Sequence, residues 1–466
     1  MAKAGMGPAS MASFAMPIRL INENQHAGKM AATHSFQKGR IMESVSFTHK
    51  CAKASCRSCG TTGLLPVLDL GIMPLSDGLL RTDQLAMPEP KYPLEMVFCP
   101  QCSLVQILET VPPEKLFCED YPYYSSFSES LLEHSRENAM ELMQSRNLSP
   151  NSLVVEVASN DGYLLKNFVQ CGIPVLGIDP AQGPVKAASK VGVPTLCTFF
   201  GKDLAAKLSS EGYQADVIIA NNVLAHVADT NGLVEGMGIL LKPEGVAVIE
   251  VPYVRDLIDH CEFDTIYHEH LCYFSVSALD RLFRRHELYL NDVRRLPIHG
   301  GSLRLYVGHY DRPTKAVKDM LFQEHKLGLD SYSYFQAFAS KVKAVKANLA
   351  QMLTALKSQN KRIAAYGAAA KGAILLNYVQ AGTDIIDYVV DRNIHKQGRF
   401  MPGVHIPICD PARIAAEMPD YVLVLPWNFK DEIMSQQMLY RQRGGQFIIP
   451  IPTPEIVQYQ SEGEAA

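Results

Sequence analysis

Four consecutive residues, Tyr267-His268-Glu269-His270, set a phenol, two imidazoles and a carboxyl side by side, downstream of an apolar run that ends at Pro252. Imidazole titrates close to neutral pH, and a neighbouring carboxylate can orient it and raise its basicity, so acid–base catalysis is the expectation and packing the alternative. Metal binding by His268 and His270 would need a third ligand that the neighbouring sequence does not supply. His226 lies just beyond another apolar run, Asp216–Ala220, and is a candidate for the same site, although alone it reads equally well as a core histidine. A different chemistry is written in Cys56-Arg57-Ser58-Cys59 and Cys99-Pro100-Gln101-Cys102, two C-x-x-C pairs that each suit a tight knuckle aiming two thiolates at one point. Four thiolates so spaced match a tetrahedral Zn²⁺ site, and a closed Cys₄ site has no open coordination position, so this zinc serves folding and not catalysis.

These residues need elements to hold them. Leu153–Val157 is an apolar run with strand character that stops at Ala158-Ser159-Asn160-Asp161-Gly162 and continues into a helical pattern. Backbone N–H groups at such a strand-turn-helix junction form a pocket for the polar part of a nucleotide-like cofactor. A second run, Pro174–Ile178, ends in Asp179-Pro180, where a carboxylate can accept both ribose hydroxyls, and Glu156 and Asp179 then bracket one adenosine-sized site. The turn is not G-x-G-x-x-G, so a pyrophosphate cofactor such as NAD or FAD is disfavoured. S-adenosylmethionine carries no phosphate and asks for acidic and amide partners, which this turn has; another nucleotide, or a Rossmann-like unit that binds nothing, stays open. Further strands at about 194–199, 216–220 and 245–252 alternate with helices and predict a doubly wound parallel sheet. Its fourth strand would deliver Asn221, Asn222 and His226 to the crevice that holds Asn160 and Asp179.

The same order then returns. Arg362–Gly372 repeats strand, small-residue turn and helix, Ile385–Asp391 repeats a strand ending in Asp, and 420–428 and 445–452 echo 216–222 and 245–252. The expectation is an α/β chain with two Rossmann-like domains related by internal duplication. Gly367 and Lys371 in the second turn suit phosphate better than the first turn does, and Asp391, Asn393 and Lys396 lie near it. Two nucleotide-type pockets suggest that a cofactor and a nucleotide-bearing substrate meet. His299-Gly300-Gly301, with Arg304 at its edge, could hold substrate phosphate or could simply turn a hairpin. Tyr121, Tyr123 and Tyr124 stand in an aromatic, hydroxyl-rich loop before a helix at about 129–146, and matter to chemistry only if that loop folds over the cofactor pocket.

The chain of 466 residues is 47% hydrophobic with a net charge of −4, enough for two or three domains and too little positive charge for nucleic acid as the default partner. No apolar stretch approaches the roughly 20 residues of a membrane span, so a soluble protein is expected. Eleven cysteines, an odd count with four in C-x-x-C pairs, favour metal over a disulfide framework and point to a reducing cytoplasm. The expected parts are a disordered extension over 1–50, a zinc-binding domain over 51–110 with strands near 66–71 and 92–98, and a linker over 111–150. A cofactor domain over 151–310 and a C-terminal domain over 311–466, helical as far as Lys361, complete the chain. Residues 1–50 could also be a transit peptide, or lie upstream of a start at Met42.

The ordered set DYPYYSSFS, EVASNDG, ANNVLAHV, IYHEHLCYFS, IHGGSLR, YGAAAKG and DRNIHKQGRFMPG, with the paired C-x-x-C motifs, resembles the zinc-containing, S-adenosylmethionine-dependent C-methyltransferases of nucleotide-linked sugars, over residues 51 to 455. The resemblance implies a zinc domain, a central cofactor domain and a C-terminal Rossmann-like domain for the nucleotide of the substrate. It implies methylation at C3 of a 4-keto-deoxysugar nucleotide. It puts the zinc ligands on Cys56, Cys59, Cys99 and Cys102, and active-site roles on Tyr121 (or Tyr123), His226, Tyr267, Glu269 and His270. Cys272, where a small residue is expected, and the extension before residue 50 depart from the pattern. The mechanism expected from it has His270, or His226, removing the C3 proton, Glu269 orienting the imidazole, and Tyr267 with Tyr121 stabilising the oxyanion. A zinc-ribbon RNA methyltransferase and a non-catalytic sugar-nucleotide-binding protein are the competing readings. A monomer is plausible, because one chain already carries both nucleotide folds.

Overall fold

The computed structural model describes residues 46–117 and 124–458, and the backbone alone at residue 299. Tyr121, Tyr123 and nearly all of the expected N-terminal extension therefore lie outside the described residues. Helix Phe47–Lys53 is part of the zinc-bearing module: Ser46 caps it, Cys51 is buried, and Lys50 pairs with Glu95 at 2.8 Å. Strands β1 (Leu65–Pro74), β2 (Lys91–Phe98) and β3 (Val105–Ile107) then form an antiparallel ribbon, longer than the two short strands expected.

The central sheet is built from β4 (Val154–Val157), β5 (Val175–Ile178), β6 (Thr195–Leu196), β7 (Ala215–Asn221) and β8 (Leu241–Pro252), all parallel. The next strand, β9 (Cys272–Tyr273), leaves this sheet and pairs with β3, so the zinc-bearing ribbon takes its fourth strand from the middle of the chain. The hairpin β10 (Tyr289–Leu296) and β11 (Ser302–Gly308) adds antiparallel to β8, giving the order β10-β11-β8-β7-β4-β5-β6. The glycine run Gly300-Gly301 is the turn of this hairpin.

The last sheet comprises β12 (Ile363–Tyr366), β13 (Val389–Val390), β14 (Ile408–Cys409), β15 (Tyr421–Val424), β16 (Gln446–Ile449) and the antiparallel β17 (Glu455–Val457), in the order β14-β13-β12-β15-β16-β17. Counted within each half, the parallel strands of both sheets run third, second, first, fourth, fifth. The duplication reaches single hydrogen bonds. Asp216 accepts from the Leu153 N–H at 2.8 Å, and Asp420 accepts from the Arg362 N–H at 2.8 Å, each tying the start of its first strand to the start of its fourth.

Alternation along the strands divides the apolar side chains between two faces. Val154, Val217, Ile219 and Val248 join one cluster under helix Glu129–Ser145, while Val155, Ile218, Ala247 and Ile249 join a second. That second cluster runs on through Leu94 and Phe98 of the ribbon and Ile363, Ala365 and Leu423 of the last sheet, so all three modules share it. The segment expected to be helical, 313–361, contains helices Lys315–Leu327 and Phe338–Ser358. Phe338, Val342, Val345, Leu349, Leu353 and Leu356 form the buried stripe of the second, at the three- and four-residue spacing of one helix face.

Candidate active site and zinc centre

The four cysteines come together as their spacing requires. Their sulfurs all lie within 4.8 Å of one another, with Cys56 to Cys102 and Cys59 to Cys99 each at 3.5 Å. Zn–S bonds of about 2.3 Å in a tetrahedron put sulfurs about 3.8 Å apart, so the donor set fits Zn²⁺. Each knuckle closes in the same way: Gly60 N–H donates to Cys56 O and Ser103 N–H to Cys99 O, both at 2.9 Å, and Gly60 and Ser103 share a positive φ. Cys51 stays outside the cluster, its thiol pushed up to about 11 first by burial. The knuckles are fastened to the central domain through Arg285 to Ser58 Oγ, Arg281 to Ser103 Oγ and Asn231 Nδ2 to Arg57 O.

At the end of β4 the chain turns sharply, with Ala158, Asn160 and Gly162 all at positive φ. Asp179, just past β5, accepts from Asn160 N–H at 2.9 Å and Ala181 N–H at 2.8 Å and so braces the turn. Burial raises the Asp179 carboxyl against those two hydrogen bonds, and burial first, then the charges of Asp179 and Asp161, raises Glu156 well above the carboxylate range. Glu156 Oε2, Ser159 Oγ, Asp161 Oδ1 and, at the last residue of β7, Asn221 Oδ1 are buried polar atoms with no protein partner. Buried acceptors of this kind need a donor. The hydroxyls and ammonium of S-adenosylmethionine supply donors for that set; Asn222, at positive φ, directly follows β7, and Pro180 follows Asp179. From the described residues that follow the tyrosine loop, Ser125 N–H donates to Asn160 Oδ1 at 2.9 Å and Ser126 N–H to Asp161 Oδ2 at 3.2 Å.

His226, Tyr267 and His270 are brought together. The His270 ring stands 4.7 Å from His226, edge on, and 4.0 Å from Tyr267, tilted by 32°. His270 Nδ1 lies 2.9 Å from the Thr265 carbonyl, which fixes the proton on Nδ1 and leaves Nε2 as the basic nitrogen. Desolvation in its partly buried position pushes His226 down to about 4, against a hydrogen bond to the Glu269 backbone carbonyl, so it is neutral at physiological pH. His268 turns the other way, to Pro93 O at 3.1 Å, so the two histidines do not converge on a metal.

Three expectations are corrected. The Nδ1 side of the imidazole is held by the Thr265 backbone carbonyl and not by Glu269, whose carboxyl faces Asp77 of the ribbon. Arg304 is not a free cation beside the glycine turn: it is buried, with Nε 2.7 Å from Glu250 Oε1 and Nη2 3.1 Å from His134 Nε2, because register puts it opposite Glu250. Lys371 is already engaged, donating to Asn428 Oδ1 at 2.8 Å over the Trp427 ring, and it faces Glu262 and Asp264, so it does not stand as a bare phosphate ligand. Those two carboxyls are raised first by burial, to about 7 for Glu262 and about 6 for Asp264, with Lys371 opposing.

The second turn mirrors the first. Asp391 accepts from Ala368 N–H and from Asn393 N–H, both at 2.8 Å, as Asp179 does from Asn160 and Ala181. Gly367 holds a φ of +92° with Pro426 packed against it. Lys396 donates to Ala368 O at 2.7 Å and also faces Glu269. Sequence reasoning missed Thr265, Asp77, Glu262, Asp264, Trp427 and Asn428. Trp427 is the chain's single tryptophan and was the signal available.

Family models match three successive stretches: "Putative zinc binding domain" over 56–117, "Methyltransferase domain" over 132–292 and "C-methyltransferase C-terminal domain" over 297–452. With the Cys₄ cluster and the acid-rich turn, they define an S-adenosylmethionine-dependent C-methyltransferase that binds zinc. The chain is 34% identical over 411 residues to the C-methyltransferase NovU of Streptomyces niveus, covering 87% of this chain and 97% of that protein, and it belongs to that family. A ubiquinone biosynthesis O-methyltransferase of Bartonella tribocorum is 28% identical over 100 residues, which is 21% of this chain and 40% of its own. Among solved structures, the magnesium protoporphyrin IX methyltransferase of Synechocystis is 14% identical with a TM-score of 0.30, over 38% of this chain and 78% of its own.

Proposed function

We propose that the chain methylates C3 of a nucleotide-linked 4-keto-deoxysugar. The observation that carries this reading is His270: an imidazole whose Nδ1 is committed to the Thr265 carbonyl, beside a tyrosine and a second, neutral histidine. A C–H bond gives up its proton to such a base only when a neighbouring carbonyl stabilises the carbanion, which a 4-keto group does for C3.

S-adenosylmethionine, when bound, supplies an electrophilic methyl group on positive sulfur. Glu156, Ser159, Asn160, Asp161, Gly162 and Asp179, with Pro180, Asn221 and Asn222 at the edge, hold it at the end of β4. His270 Nε2 would take the C3 proton, leaving the electron pair of that C–H bond as the enolate, and C3 would form its new bond to the methyl carbon as the methyl–sulfur bond breaks and its electron pair stays on sulfur as neutral S-adenosylhomocysteine. Tyr267, and Tyr121 from the loop outside the described residues, donate hydrogen bonds to the oxyanion. His226 keeps that wall of the site uncharged.

The nucleotide lies on the second half, about Gly367, Asp391 and Asn393, with Lys396 exchanging its carbonyl partner for phosphate. What supports this placement is the second turn itself, where Asp391 accepts from the Ala368 and Asn393 N–H groups and Lys396 donates to Ala368 O. Tyr123 and the His299 turn are the remaining substrate contacts proposed. Both halves belong to one polypeptide, so a monomer suffices. Among the described residues no helix is long and apolar enough to cross a membrane. The test is incubation with methyl-labelled S-adenosylmethionine and a panel of 4-keto sugar nucleotides differing in base. Label on sugar carbon is expected; label on RNA, or binding without transfer, would contradict it.

A further inference from the structure

His270 is held by a turn that the C-terminal half grips. Its Nδ1 lies 2.9 Å from the carbonyl of Thr265, the last residue of the short 3₁₀ turn Phe263–Thr265. That turn is closed on itself: the Thr265 N–H and hydroxyl both donate to Glu262 O, at 3.1 and 2.7 Å, and Ile266 N–H donates to Phe263 O at 3.1 Å. Two contacts then fasten it to the last domain. Phe263, fully buried, packs at a tilt on Tyr378 with ring centres 5.3 Å apart, and Tyr378 belongs to helix Ala370–Val379, which follows the second small-residue turn. Asp264 Oδ2 accepts from Trp427 Nε1 at 2.9 Å.

Asp264 has no exposed surface. Burying a carboxyl costs free energy, so for stability alone an apolar side chain would serve at least as well at this place. The cost shows in the carboxyl itself, which burial pushes up to about 6 against the opposing effects of Lys371 and the Trp427 hydrogen bond. What an apolar side chain would lose is direction. Apolar contact, such as Phe263 on Tyr378, seats the turn but tolerates rotation, whereas an N–H···O bond fixes an orientation. The residue so oriented is followed at once by Thr265, whose carbonyl must point at Nδ1 for His270 to keep its proton there. The indole that donates is itself fixed: Lys371 Nζ stands 4.7 Å from its ring centre and donates to the neighbouring Asn428 Oδ1 at 2.8 Å.

We propose that Asp264 is a positioning residue for His270: the hydrogen bond it accepts from Trp427 fixes the 263–265 turn, so that the Thr265 carbonyl holds the imidazole in one tautomer and one orientation. The inference rests on the reading of His270 as the base. It adds to that reading the joint through which the C-terminal half aims the imidazole.

The test uses the full, zinc-loaded chain with ¹⁵N in its histidine and tryptophan side chains, His270→Asn assigning the His270 signals. Trp427 is the single tryptophan, so its one indole N–H resonance reports the bond directly. In Asp264→Ala that resonance should shift, and the His270 nitrogens should move from the Nδ1–H pattern towards a mixture of tautomers. In the same variant kcat should fall about 10- to 100-fold, with the KM for S-adenosylmethionine as in the parent. Asp264→Asn keeps an oxygen for the indole and should rescue both the signals and the turnover. Trp427→Phe keeps a ring and loses the donor, and gives a second reading if the alanine variant does not fold. His270 nitrogens unchanged from the parent in a folded Ala or Phe variant would overturn the proposal. The nitrogen signals need no sugar nucleotide, and moved signals with parent turnover would uphold the joint while counting against His270 as the base.

Discussion

At the scale of single residues the site is governed by who holds each proton. His270 has its Nδ1 proton fixed by Thr265, so replacing His270 by Asn should leave S-adenosylmethionine binding, measured by calorimetry, as in the parent. Turnover should fall about 10²- to 10⁴-fold, the range expected when a general base is lost. Unchanged turnover would remove His270 from the mechanism. Glu262 offers a test of stability against pH. Its carboxyl is pushed up to about 7 from 4.5, mainly by burial, so the folded protein binds a proton there in a window where the unfolded chain does not. Stability from this group is present below the unfolded value and lost as pH rises through 7. Glu262→Gln should therefore raise the melting temperature in mildly alkaline buffer and change it little in acid. A larger gain in acid would contradict the assignment.

At the scale of elements, the ribbon is no appendage. It takes β9 from the central domain, its knuckles are tied to Arg281 and Arg285, and it shares the largest core. Metal analysis should find one zinc per chain, and chelation should lower the melting temperature and abolish methyl transfer together. A chelated protein that melts and turns over like the parent would separate zinc from the fold. In the last domain Gly367 holds φ +92° with Pro426 against it, so a β-carbon there is strained twice. Gly367→Ala is expected to cost about 1–3 kcal/mol in denaturant titrations and to weaken sugar-nucleotide binding while cofactor binding persists.

Across the whole molecule, what can be read from the sequence is whatever is local. The C-x-x-C knuckles, the turn at Asn160–Gly162, the strand-ending acids Asp179 and Asp391 and the second round of strands all announce themselves within a few residues, and each stands where its pattern puts it. What cannot be read depends on pairing between distant segments. Nothing in the sequence near Arg304 shows that register sets it against Glu250, and nothing beside Lys371 shows that Trp427 and Asn428 come to meet it. Adjacency along the chain assigns Glu269 to His270, yet neighbours in a turn often point apart, and here a carbonyl takes the imidazole.

The central claim is that an imidazole at the seam between two nucleotide folds draws a proton from a sugar carbon so that this carbon can take a methyl group. The measurement that meets it most directly is proton exchange at C3, followed by NMR in D₂O with S-adenosylhomocysteine in place of the methyl donor. The parent protein should exchange the C3 hydrogen of a 4-keto sugar nucleotide for deuterium and His270→Asn should not. Exchange at an equal rate in both, or none in a parent protein that still transfers methyl to C3, would contradict the account.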